Sequence, residues 1–338
     1  MNQAIGIEYV NTFFPKQVET AEEIAEKTNI PVDVIIEKFG LYEKHVAGDD
    51  MHATDMAIEA ARPILEKIDP LDIDVIIYFG SPHKDYYVWV GATKIQYELG
   101  AKNAYVFEMM NVSSCFPIAL KVAKDMLKSD KSIENILLVG GSKESQIINY
   151  ENPRSRFMFN FADGGAAALV KRGAKNSEIL GSAMITDGSF YKDVLVPAGG
   201  SRNFPSEATV KEKMHYIDVV DPKGMKERLD KVSFENFGKV MRLALQKSDY
   251  DFGDLSLLLP LHTKRSMFEQ FLDIAGLTED KAIYLDHHGH LSALDPCIGL
   301  HFAEQRGMLK PGDIVLTVSA GTGYTWSATV IKWNGANK

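Results

Sequence analysis

Residues 313–333 read DIVLTVSAGTGYTWSATVIKW. An apolar run of strand length, a Gly-rich turn and a second run rich in β-branched and aromatic residues predict two adjacent strands. The same order stands earlier in the chain, as NILLVGGS at 135–142 and FADGGAAALVKRG at 161–173. Upstream of each pair lies another apolar run followed by helical patterns, DVIIYFG at 74–80 and LSLLLP at 255–260. Weaker strand signals are AYVFEMM at 104–110 and the short run at 282–285. Such runs are apolar on both faces, as strands enclosed by two helical layers must be.

Helical patterns fill the intervals. TAEEIAEK opens on a capping box, Thr20 with Glu23. Amphipathic stretches cover 55–66 (despite Pro63), 114–128, 264–275 and 293–306, and Phe234, Phe237, Val240, Met241 and Leu245 form one apolar stripe. Alternating strands and helices predict an α/β fold. The repeated order predicts a duplicated βαβαβαββ unit, with halves at 1–175 and 176–338 and no low-complexity linker between them. Residues 190–215 are polar and rich in Gly and Pro, and predict a long loop covering a site.

The chain has 338 residues, 45% apolar and 25% charged, the balance of a globular protein. Its net charge of −9 excludes the basic footprint that nucleic acid or an anionic membrane surface requires. The start, MNQAIGIEYV, has no signal-peptide pattern, and the most apolar run, 255–261, is far shorter than a bilayer span. Two cysteines, Cys115 and Cys297, build no disulfide framework and predict a reducing, cytoplasmic setting.

Candidate reactive residues stand at element boundaries. Cys115 lies in NVSSCFPIAL, where a strand gives way to a helix. A helix N-terminus lowers a thiol pKa, although a lone cysteine is more commonly core. Ser113 and Ser114 compete with it, or serve as caps. His262 ends LSLLLPLH, at a strand's C-terminal edge, and His287, His288 and His290 lie in LDHHGHLSALDP. Their spacing fits no standard zinc pattern, and no metal is expected. One Cys or Ser with two separate imidazoles supplies the parts of an acyl-transfer site acting on a thioester. The turn holding Gly321 and Thr322 lacks phosphate-loop spacing but can offer backbone N–H groups to an oxyanion.

Four stretches, in order, resemble the 3-oxoacyl-ACP synthase III family of the thiolase superfamily: 39–61 (FGLYEKHVAGDDMHATDMAIEAA), 157–170 (FMFNFADGGAAALV), 285–300 (LDHHGHLSALDPCIGL) and 309–333. The resemblance implies a thiolase fold with an α-β-α-β-α layered core, the nucleophile in the first half and the catalytic histidines in the second. It implies an acyltransferase that takes an acyl group from acyl-CoA or acyl-ACP and condenses it with a malonyl-type thioester. It further implies a homodimer, acyl carrier protein or CoA thioesters as partners, and no cofactor beyond those substrates. His262 matches the family's histidine, and His290 stands where the family has asparagine. An ungapped register puts Ser113 at the family's cysteine position, while Cys115 reaches it by a two-residue slip, so both remain candidates. Val34 and Lys38 replace the family's CoA-stacking Trp and Arg, which leaves Lys38 as a substrate contact and favours a carrier-bound donor. Phe116 and Trp89 are candidates for shaping the acyl pocket, while Tyr86, Tyr87 and Trp89 read first as packing at a dimer interface. Two other readings stand: an ester- or amide-forming acyltransferase of specialised metabolism, and a non-catalytic partner subunit in a thiolase-fold heterocomplex.

Overall fold

The computed structural model describes residues 3–335. Strands β1 (Ile5–Phe13), β2 (Val75–Gly80), β3 (Tyr105–Met110), β4 (Asn135–Lys143) and β5 (Asp163–Arg172) form one sheet in the order β1-β5-β4-β2-β3. Strands β6 (Ser177–Thr186), β7 (Leu255–Pro260), β8 (Ile314–Gly321) and β9 (Thr325–Trp333) form a second in the order β7-β8-β9-β6. In the first sheet β2 runs parallel to β3 and β4, and β5 lies antiparallel between β4 and β1. In the second, β7 is parallel to β8, and β9 lies antiparallel between β8 and β6. A parallel bridge from Leu258 to Ala282 occupies the place that β3 holds in the first sheet. The two sheets thus repeat one topology.

Helices α1 (Ala53–Leu65), α2 (Gly91–Glu98), α3 (Cys115–Ser129), α4 (Pro222–Gln246), α5 (Arg265–Ala275) and α6 (Asp295–Gln305) complete five layers. Between the sheets, Leu120 and Ala123 of α3 and Ile298 and Leu300 of α6 join Ile77, Leu138, Leu259 and Val315 in one core. Helices α1 and α2 bury Ile58, Ala61 and Ile95 against the outer face of the first sheet, and α4 and α5 bury Phe237, Met241 and Phe271 on the second. The result is the expected α-β-α-β-α order. Among the described residues no helix is long and apolar enough to cross a membrane.

The outer contact of α1 is close because glycine permits it. A Cβ on Gly165 would lie 2.0 Å from the Met56 carbonyl oxygen, and one on Gly141 1.8 Å from that of Ala53. Gly165→Ala is therefore expected to cost about 3 kcal/mol, measured by chemical denaturation.

Most predicted strands appear where the apolar runs stand. The run at 282–285 forms only the single bridge, and the stripe around Phe237 belongs to a longer helix of 25 residues. Pro63 sits in the last turn of α1. Strands β1 and β6, related by the repeat, are found without having been expected. The polar segment at 190–215 carries a short helix, Glu207–Lys211, and pairs Val194–Leu195 with Asp218–Val219.

Candidate active site

Where β3 ends, the chain turns sharply into α3. Val112 takes up φ +48°, a left-handed conformation that is costly for a β-branched residue and that is seen where function holds it. The turn directs Ser113 into a cavity of about 580 Å³. The second half grips this turn from below. Ser319 Oγ donates to the Ser113 carbonyl oxygen (2.5 Å), Ser327 Oγ to that of Ser114 (2.9 Å) and Thr329 Oγ1 to that of Pro117 (2.8 Å). Gly321 packs on the same turn, where a Cβ would lie 2.5 Å from the Asn111 carbonyl oxygen.

Across the cavity floor, Ser113 Oγ lies 2.8 Å from His290 Nε2, and His290 Nδ1 lies 2.5 Å from Asp295 Oδ2. Asp295 opens α6, is fully buried, and also accepts the main-chain N–H groups of His262 (2.7 Å) and Leu291 (2.8 Å). His290 is anchored by its own backbone, which donates to the Asn160 carbonyl (2.8 Å) and accepts from Ala162 N–H (2.9 Å). Burial opposes charge on this imidazole, but the Asp295 charge and hydrogen bond, and the nearby Glu144, outweigh it and hold its pKa above the ordinary value. With Nδ1–H directed at Asp295, Nε2 is left to accept the Ser113 proton. These are the parts and the order of a serine–histidine–aspartate relay.

His262 also lines the cavity, and neither of its ring nitrogens has a partner. Burial, then His290 and His288, push its pKa down to about 3, so it is neutral. Thr322, Lys38 and Val34 line the same space. Its walls are mainly apolar, with Ile30, Phe39, Phe157, Met225, Leu229 and Met267. Lys38, Arg154, Arg156, Lys226 and Lys264 contribute cationic side chains, of which Arg154 pairs with Asp218 and Lys226 with Asp230. On a chain of net charge −9, this is a local anion-attracting cavity. The segment at 190–215 contributes nothing to the lining, and α4 supplies that wall instead.

Three expected contacts are elsewhere. Cys115 is fully buried in the inter-sheet core, its Sγ–H donates to the Met109 carbonyl (3.2 Å), and burial pushes its thiol up to about 11. The expectation of a thiolate at this helix start is corrected by that burial: two residues past Ser113, the side chain points inward. Phe116 packs on Phe79 with ring centres 5.4 Å apart, also within the core. Trp89 meets Tyr86 edge-on at 5.3 Å in the 81–90 loop and does not line the cavity. Iodoacetamide is accordingly expected to modify Cys115 and Cys297 equally slowly until the protein unfolds. Fast labelling of Cys115 in folded protein would contradict the burial.

Among the other histidines, His287 stacks on Tyr42 at 4.7 Å, while His288 sits 4.9 Å from Phe14 and 5.4 Å from His45. No group of three or more His, Cys, Asp or Glu side chains among the described residues is disposed to hold a metal. Three site residues had not been expected: Asp295, Asn160 and Glu144. Asp295 does carry a signal, an acid before proline five residues after His290. Asn160 and Glu144 carry none. Glu144 is buried near Ser81, Ser292 and His290, and burial holds its carboxyl above the usual carboxylate range.

Comparison with known proteins follows the same lines. Residues 107–188 match the family model for 3-oxoacyl-[acyl-carrier-protein (ACP)] synthase III, and 245–333 match that for its C-terminal part. The beta-ketoacyl-[acyl-carrier-protein] synthase III of Caldanaerobacter subterraneus is 30% identical over 334 residues, covering 98% of each chain. That of Syntrophomonas wolfei is 28% identical, covering 94% of each. The crystal structure of 3-oxoacyl-[acyl-carrier-protein] synthase III from Aquifex aeolicus superposes with a TM-score of 0.83 at 24% identity, covering 97% of this chain and 100% of that one. A priming beta-ketosynthase from a polyketide pathway gives 0.86 at 20% identity, covering 99% and 98%. The structural likenesses share the fold, and the sequence matches extend over both halves, including the Ser113 turn, His262 and His290. The chain belongs to the 3-oxoacyl-[acyl-carrier-protein] synthase III family.

Proposed function

We propose that the protein is an acyltransferase that loads an acyl group from a CoA or carrier-protein thioester onto Ser113 and condenses it with a malonyl-type thioester. The observation that carries this is the Ser113–His290–Asp295 relay at the floor of a cationic cavity, in a family whose relatives bear the name of that reaction. In loading, His290 takes the Ser113 proton as Oγ attacks the thioester carbonyl, then delivers it to the departing thiolate. The backbone N–H groups of Ser113 and of the turn at Thr322 hold the oxyanion, each such donor being worth on the order of 3–4 kcal/mol. In condensation, the malonyl carboxylate leaves as carbon dioxide, and its bonding pair becomes an enolate. The enolate carbon attacks the acyl-serine carbonyl, and Ser113 leaves as an alkoxide that takes up one proton through His290.

Intact-mass spectrometry with panels of acyl-CoA and acyl-ACP tests the first step, and peptide mapping locates the acyl group. Carbon dioxide release from malonyl thioester tests the second. No acylation from any donor would sink the proposal. The relay also favours a second reading, an ester- or amide-forming acyltransferase, because an imidazole poised on a hydroxyl can equally activate an alcohol or amine acceptor. That enzyme would be acylated and would never consume malonyl thioester. Either catalytic reading accounts for the assembled relay better than an inert partner subunit does.

The homodimer and the cytoplasmic setting belong to the same proposal. Strand β3 is the free edge of the first sheet, with Tyr105 exposed on it, and the adjoining loop exposes Tyr86 and Tyr87 at 69% and 77%. An exposed edge with an apolar loop is what a second copy would cover. Light scattering is expected to give twice the 37.6 kDa chain mass, and a monomer at micromolar concentration would refute the dimer. Two free, buried cysteines suit a reducing compartment.

A further inference from the structure

Lys44 is fully buried, takes no part in the relay and does not line the cavity. It stands on a short strand, Glu43–His45, paired antiparallel with Val18–Thr20, and its cross-strand neighbour is Glu19. Burying an ammonium is costly unless its N–H groups find acceptors. Here all three are spent inside the protein. Lys44 Nζ donates to the Phe159 carbonyl (2.7 Å) and to the Phe161 carbonyl (2.8 Å), and it pairs with Glu19 Oε2 at 3.2 Å. Glu19 is itself buried and is held in turn by Lys27 and Tyr150.

The two carbonyls flank residue 160, whose own carbonyl accepts the His290 N–H (2.8 Å). Ala162 N–H donates to the His290 carbonyl (2.9 Å), and Phe161 bridges His290 in parallel register. Bonds therefore alternate along the segment, with residues 159 and 161 tied to Lys44 and residues 160 and 162 tied to His290. Gly289, at φ +80°, lets the partners approach. A Cβ there would lie 2.6 Å from the Asn160 carbonyl oxygen and 2.9 Å from Lys44 Cβ. We propose that Lys44 is a positioning residue for acyl loading: its two carbonyl bonds fix the 159–162 segment where His290 meets both Ser113 and Asp295. The inference rests on the loading step of the reading above. No proton or electron pair passes through Lys44.

Full-length wild-type protein and Lys44→Met are compared in single-turnover loading from acyl-CoA, followed by intact-mass spectrometry. Methionine keeps a long unbranched side chain and loses every donor. The maximal loading rate is expected to fall about 10²-fold, as when a catalytic group is displaced by about 1 Å. The half-saturating acyl-CoA concentration should stay within about twofold, because Lys44 is not on the cavity wall. The acidic limb of loading should also move to lower pH. The titratable and charged groups that face His290 are Asp295, Glu144 and His262, and Lys44 is not among them. A shifted limb therefore reports a slackened contact between His290 and Asp295 rather than a lost neighbouring charge. The double variant Glu19→Gln/Lys44→Met removes the pair together, so that folding does not hinge on an unmatched buried charge, and it should show the same fall and the same shift. Loading within about twofold of wild type in either folded variant would overturn the assignment. Slower loading with an unshifted limb would show a merely structural role and overturn it as well. Wild-type protein that no donor acylates would overturn the loading reading, and this assignment with it.

Discussion

Ser113→Ala is expected to abolish acyl-enzyme formation. Intact protein incubated with acyl-CoA should gain no mass, and turnover should fall by about 10⁴-fold or more, as when a relay nucleophile is removed. Cys115→Ala is the contrasting variant. It removes a thiol that faces the core, so loading should stay within a few-fold of wild type while stability drops modestly. The two outcomes are opposite for a cysteine-based enzyme: loading lost in Cys115→Ala and kept in Ser113→Ala would return the nucleophile to the thiol. Single-turnover mass spectrometry decides between them.

Asp295→Asn should cost about 10⁴-fold in loading rate and displace its pH dependence. His290 must be neutral to accept the Ser113 proton. Its pKa is raised, so wild-type loading is full above that value and is lost as pH falls through it. Without the Asp295 charge, burial dominates, and the imidazole's pKa drops. The acidic limb of the variant therefore moves to lower pH, although its plateau is far slower because the relay no longer fixes the tautomer. Loading rates measured from about pH 5 to 9 report both effects. An unshifted limb would mean that Asp295 does not set the charge of His290. His262, already neutral with a pKa of about 3, should add no limb in that range.

The fold was legible where burial is two-sided. VIIYFG, NILLVG, LSLLLP and DIVLTV each lie with both faces covered, so their apolar runs survive in sequence. Strands β1 and β6 were not legible, because each flanks its sheet and mixes polar residues into its buried face, such as Ser177 and Ser182 in β6. The pairing of Ser113 with His290 spans 177 positions and is set by how the two halves meet, which no local pattern encodes. Cys115 misled for an energetic reason. A helix N-terminus gives an anion roughly 0.3–1 kcal/mol, while full burial can shift a group by several pKa units, so desolvation wins. Asp295 reads in sequence as an ordinary helix-opening acid, and only the fold sets it against an imidazole.

The hydroxyls of Ser319, Ser327 and Thr329 reach from β8 and β9 to the main-chain carbonyls of Ser113, Ser114 and Pro117. This bond set has a consequence for inheritance. A recombinant that took its first half from this protein and its second from a relative would carry an intact serine on a turn deprived of its grip. Exchange between lineages is therefore expected to succeed only when the donor strand offers hydroxyls at those three positions. The seam between the halves is therefore expected to disfavour crossovers and to tie substitutions at those three positions to the turn they hold.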